Sequence, residues 1–164
     1  MDEFIYIGKI VNTHGLKGEV RILSNFDFKD KVFTPGIKYY LGRKKEEMLV
    51  NTYRHHKNFE MVTFDGYNDI NEVLRLKGLY VYIKRSDLKL DADEYLDSDL
   101  IGLKVIVDGT ENGIITNVRD SGNNKFLVID TNEKQVYIPY QKEFVKEINL
   151  DKQHIIIEPI KGMF

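Results

Sequence analysis

Runs in which apolar and polar residues alternate recur along almost the whole chain, and this period of two restricts the fold more than any other feature of the sequence. In the first half the runs fall at 4–11, 19–24, 37–42, 48–55, 59–64 and 79–84. In the second half they fall at 103–108, 112–120, 125–130, 134–139 and 154–159. A half-buried strand needs this alternation; a helical bundle needs a period near 3.6 and cannot use it. One segment breaks the pattern: with Asn68 or Asp69 as N-cap, Ile70, Val73, Leu74 and Leu76 lie on one helical face, and Gly78 is placed to end the helix. The stretch 143–150 reads as one helical turn. Six strands and a short helix point to a small closed barrel, which leaves no strand edge exposed. The later strands, with turns expected at Asp108-Gly109, Asn112-Gly113 and Ser121-Gly122, point to a second one. The expected fold is therefore all-β, two small β-barrels in series.

The strand texture lapses at 86–99, where SDLKLDADEYLDSD carries six acids and one base. The expected division is an N-terminal barrel at 1–86, an acidic linker at 87–99 and a C-terminal barrel at 100–164. Charge divides at the same place. Residues 1–86 hold 15 Lys and Arg against 11 Asp and Glu, a balance of +4; residues 87–164 hold 9 against 15, a balance of −6. Halves of opposite sign suit different partners, a polyanion for the first and a basic protein for the second. The chain has no Cys, which excludes disulfides and thiolate-held metals. Acids near the N-terminus stand where a secretory signal needs Lys or Arg, and no apolar run approaches the roughly 20 residues that span a bilayer, so a cytoplasmic protein without membrane contact is expected.

The usual signs of catalysis are weak. Of His14, His55, His56 and His154, the adjacent pair on a strand must face opposite ways and does not suit a shared metal. The acids Asp91, Asp93, Glu94, Asp97 and Asp99 lack the Gly and Glu positions of an EF-hand. They read as a solvated linker or a dock for a basic protein, with a Mg²⁺-dependent rRNA nuclease as the rival reading. No phosphate-binding glycine loop occurs. The expectation is a non-enzyme without metal or cofactor.

The most distinctive segment is GKIVNTHGLKGEVRI, 8–22. Gly15 and Gly18 permit a tight connection with positive φ, and Lys9, His14, Lys17 and Arg21 surround it with cationic or hydrogen-bonding groups. It reads equally as a phosphate-backbone contact and as a barrel turn with solvated lysines. Arg43, Lys44 and Lys45, near Tyr39 and Tyr40, read as a solvated loop.

This segment resembles the opening signature of the RimM ribosome maturation factors. EYLDSDLIGLKV at 94–105 is similar to that family's domain junction, SGNNKFLVI at 121–129 to a turn and strand of its second domain, and 138–150 with 155–164 to its ending. The resemblance implies a six-stranded barrel like those of translation factors, then a PRC-type barrel. It implies binding, as a monomer, to immature small ribosomal subunits, with contacts to head-region rRNA and to a basic head protein, small-subunit protein nineteen. Candidate anchors for that protein are Tyr95, Leu96, Leu100, Met163 and Phe164, the last two equally suited to closing a core. Leu96 and Asp97 stand where the family often has Tyr and Trp, and Lys125 where it tends to have an acid.

Overall fold

The computed structural model describes residues 3–164, so Met1 and the first of the N-terminal acids lie outside the described residues. Six strands, β1 (Phe4–His14), β2 (Glu19–Leu23), β3 (Lys38–Leu41), β4 (Glu46–His56), β5 (Phe59–Phe64) and β6 (Tyr80–Lys84), close into a barrel in the order β1-β2-β5-β4-β3-β6. All six expected strands of the first half are present. Their inward positions supply the core, with Ile7, Ile10, Val20, Ile22, Val62, Phe64, Val81 and Ile83 buried. Each such side chain stabilises the fold by roughly 1.5–3 kcal/mol through burial.

Helical pieces close the barrel. A single turn, α1 (Lys29–Val32), delivers Val32 and Phe33 to the core, and the Tyr39 hydroxyl donates to the Val32 carbonyl at 2.8 Å. At four residues it is too short to leave a periodic trace in the sequence. The expected helix after Asp69 forms as α2 (Ile70–Val73), capped by the Asp69 carboxylate, which accepts from the Asn71 N–H at 3.1 Å. It tightens into a 3₁₀ turn at Leu74–Leu76, and the Gly78 N–H then donates to Ile10 on β1 at 2.7 Å.

The second set of strands, β7 (Lys104–Val107), β8 (Thr110–Asp120), β9 (Lys125–Asp130), β10 (Gln135–Pro139), β11 (Val145–Asn149) and β12 (His154–Ile157), forms a six-stranded sheet ordered β10-β9-β8-β7-β12-β11. The hydrogen-bonded order runs from β10 to β11 and leaves those two as its ends. A short helix, α3 (Asp97–Leu100), precedes the sheet, and Leu100, Leu103, Val105, Ile115, Leu127, Ile129, Ile138 and Ile155 make a second core. The all-β reading holds.

Two local expectations are corrected. Residues 145–149 are strand β11, not a helical turn: a bulge between Val145 and Glu147 shifts the register, so Val145 and Ile148 are spaced by three and imitate a helical face. Asn112-Gly113 is no turn but lies inside β8 at another bulge, where a Cβ on Gly113 would meet the Asp130 carbonyl oxygen at 2.6 Å. The chain divides into two compact units, at 1–91 and 92–164. Much of the expected linker therefore belongs to the second unit, where Tyr95 packs against the core.

Candidate nucleic-acid interface

Strand pairing builds the site on the outer wall of the first barrel. Across the β1–β2 ladder Lys9 faces Leu23, Asn12 faces Arg21 and His14 faces Glu19. Arg21 also faces Met61 of β5, which faces Arg54 of β4. Partners in antiparallel register project from the same side of a sheet. The register alone therefore brings two guanidinium groups from distant parts of the chain onto one patch.

Within it, Arg21 donates through Nη2 to His14 Nδ1 at 2.6 Å, and its guanidinium lies 5.7 Å from the Phe59 ring centroid. Its Nε is shielded from solvent and has no hydrogen-bond partner. Arg54 grips Glu19 with two parallel hydrogen bonds of 2.8 Å, and this pairing holds the Glu19 carboxyl below its ordinary range. The His14 and His56 rings are 6.0 Å apart. Desolvation pushes His56 below the usual imidazole value, and its neighbours Arg54, Lys57, His14 and Arg21 push it further. The guanidinium groups of Arg21 and Arg54, with Lys17 in the adjoining turn, give the patch the charge that suits a polyanion.

The residues proposed from sequence do not all converge. His14 and Arg21 are in contact. Lys17 is exposed in the β1–β2 turn, with Gly15 at φ +68° in open space. Gly18, at φ +88°, would place a Cβ 2.6 Å from the Tyr67 carbonyl oxygen, so it fixes the turn against its neighbour rather than touching a ligand. Lys9 stands five residues before His14, roughly 16 Å along β1, where its Nζ is 5.6 Å from the Tyr80 ring. Arg54, His56 and Phe59 are additions that the linear motif does not contain. The only signal for them is that Arg54 and His56 alternate onto one face of β4, while His55 turns to Glu60 at 3.0 Å.

In the second unit the proposed anchors need correction. Leu100 is 0% exposed and Leu96 6%, so both are interior and offer no surface to a partner. Tyr95, Met163 and Phe164 are half-buried and pack against the second core. Phe164 also lines a hollow of about 680 Å³ with Ile114, Glu111, Asp130, Glu133 and Lys134, where acids outnumber bases. Asp97 and Lys125, two of the three positions at which the sequence is expected to depart from the family it resembles, meet in an ion pair of 2.6 Å. Among the described residues, no three His, Asp or Glu side chains come together in a group that could hold a metal ion. No helix among them is long and apolar enough to cross a membrane.

Barrel, sheet and charged wall together define a two-unit all-β protein. Comparison with known proteins makes this specific. Residues 5–88 match the family model of the RimM N-terminal domain, and residues 97–163 match that of the RimM PRC barrel domain. The chain is 37% identical to the ribosome maturation factor RimM of an Exiguobacterium species, covering 98% of this chain and 96% of the relative. It is 40% identical to that of Staphylococcus epidermidis, over 97% and 98%, and 38% identical to that of Listeria monocytogenes, over 99% of each. The chain belongs to the RimM family of ribosome maturation factors.

Proposed function

We propose that the chain is a non-enzymatic, cytoplasmic assembly chaperone that binds immature small ribosomal subunits and assists maturation of the head and processing of small-subunit rRNA. It holds a partly folded ribonucleoprotein surface better than the finished one, and this differential affinity shifts the population toward a maturation-competent arrangement. No bond is made or broken.

The observation carrying this reading is the opposite charge of two units that each have their own core. Residues 1–91 hold 16 Lys and Arg against 13 Asp and Glu, giving +3; residues 92–164 hold 8 against 13, giving −5. On the first unit, Arg21, Arg54, Lys17 and His56 supply donors and charge for phosphates of head-region rRNA. On the second, the hollow bounded by Glu111, Asp130, Glu133 and Phe164 suits a basic segment. The family resemblance directs that site to small-subunit protein nineteen.

The test is sedimentation of the full chain with immature small subunits across a salt series. Lys17→Glu with Arg21→Glu should weaken binding at least about tenfold and flatten the salt dependence by about one unit of slope per lost phosphate contact. Unchanged affinity and slope would remove this patch from the interface.

A further inference from the structure

The outer faces of β1 and β6 carry no acid. Where the two strands pair, their outward positions are Phe4, Tyr6 and Lys9 on β1 and Tyr80, Tyr82 and Lys84 on β6, and the register sets Tyr6 opposite Tyr82, Lys9 opposite Tyr80, and Phe4 opposite Lys84. Tyr40 of β3 extends the middle row by pairing with Tyr82. An outer wall of a barrel has no packing reason to hold large rings, yet Tyr6 is 52% exposed, Tyr80 49% and Phe4 38%. The rings support one another edge to face, with Tyr6 5.7 Å from Tyr80 and 6.1 Å from Tyr82.

Each ring group has a lysine beside it. Lys45 Nζ lies 4.2 Å from the Tyr82 centroid and 5.6 Å from that of Phe4, Lys84 lies 5.0 Å from Tyr40, and Lys9 lies 5.6 Å from Tyr80. Lysines resting on aromatic faces are already partly ordered, so less freedom is lost when they engage an anion. Tyr40 and Lys84 also border a depression of about 560 Å³ where Lys31, Lys38 and Lys89 outnumber Asp87, although Lys31 pairs with Asp91 at 3.3 Å and Lys38 with Glu47 at 3.8 Å. In the other direction, Lys9 shares a row with Leu23, two residues from Arg21 on the same strand. Rings, lysine depression and guanidinium patch thus form one track around the barrel.

We infer that the β3–β6–β1 wall is a stacking platform for unpaired RNA, on which bases lie against Tyr6 and Tyr80 while their phosphates meet Lys9, Lys45 and Lys84. The occupant follows from the chemistry on the page. Aromatic faces with a lysine at each ring group, and with carboxylates only at the border, where Glu47 accepts from the Tyr40 hydroxyl at 3.4 Å and Asp87 lines the depression, match a strand of nucleotides, which has a π-face at every base and a negative charge at every link. A duplex hides its bases and would gain only the charge. This deepens the proposed function, since it rests on an RNA-binding first unit and names the state of RNA that the unit prefers: a segment not yet folded into its final helix.

The experiment uses the full chain and a short oligouridine, with a duplex RNA of equal length as control, followed by anisotropy of a labelled strand. The chain has no Trp, so its emission is that of its 10 Tyr, and the quenching lost in Tyr6→Ala and Tyr80→Ala measures the share that comes from these two rings. Wild type should bind the unpaired strand more tightly than the duplex, with quenching of tyrosine emission. Tyr6→Ala and Tyr80→Ala should each weaken the unpaired strand about tenfold and leave duplex binding unchanged; Tyr6→Phe and Tyr80→Phe, which keep the ring, should retain wild-type affinity. Equal affinity for strand and duplex, Ala variants that bind like wild type, or Phe variants as weak as Ala would each overturn the platform. So would an effect of the Ala variants confined to binding of purified ribosomal proteins. Failure here, with subunit binding still lost in the Lys17 and Arg21 variants, would overturn the platform alone and leave the proposed function standing.

Discussion

Arg21 bears an energetic burden that the barrel does not require of it. An Nε cut off from water and left without a partner forfeits about 1–3 kcal/mol, and an outward barrel position is equally well filled by a small polar residue. The arrangement makes sense if the guanidinium is kept stiff, over Phe59 and against His14, for a ligand. His56 reports on the same patch. Its folded pKa lies below the ordinary 6.5 because of desolvation and then its neighbours Arg54, Lys57, His14 and Arg21, so near that pH the unfolded chain binds the proton more readily. Its contribution to stability is therefore present above pH 6.5 and lost as pH falls through the ordinary imidazole value toward the lowered one. Phosphates placed on the patch act against the electrostatic part of that shift, though not against the larger part due to desolvation: where their charge prevails, His56 takes up a proton and RNA binding strengthens as pH falls through that window. Affinity for small-subunit RNA measured between about pH 8 and about pH 6 should rise in wild type and rise less in His56→Gln. A His56→Gln variant with the full wild-type pH dependence would show that the imidazole lies outside the interface.

The β1–β2 hairpin is the element that presents this patch, and its turn is braced from behind. The Ile70 N–H donates to the Leu16 carbonyl at 2.9 Å, and the Cα of Gly18 is so close to the Tyr67 carbonyl that a methyl group cannot enter. Gly18→Ala combines a left-handed φ with that clash and should destabilise the fold by roughly 1–3 kcal/mol, visible as a lower Tm. Gly15→Ala is strained in φ but meets nothing, and should be milder; equal losses would mean that the brace contributes nothing. How far such features can be read from sequence depends on their range. Alternation revealed all six strands of the first barrel and five of the second sheet, because each strand's burial is set by its own neighbours. It failed at 145–149 and at Asn112-Gly113, where bulges break the period of two and imitate a helix face or a turn. The site was legible only in part for the same reason. His14, Lys17 and Arg21 fall in one short motif, whereas Arg54, His56 and Phe59 join them through cross-strand register, and spacing along the chain does not encode register.

At the scale of the whole chain, two cores with separate charge balances imply two units that can be taken apart. Every strand pairing of the first unit stays within 1–91 and every pairing of the second within 92–164, so a cut between Asp91 and Ala92 severs no ladder. The interior position of Leu96 and Leu100 matters here, since a cut at 99 or 100, where the acidic stretch ends in sequence, would strip the second unit of α3 and expose its core. Fragments 1–91 and 92–164 should therefore each unfold cooperatively. The first, a closed barrel with a net charge of +3, should keep salt-dependent binding to small-subunit RNA. The second, at −5, should keep none, and its end strands β10 and β11 should make it the more prone to associate. Circular dichroism melts and RNA titrations of the two fragments, set beside the intact chain, measure all three points. A fragment 1–91 that stays unfolded, or that folds but binds RNA with no dependence on salt, would mean that the division of charge between the units does not divide their work.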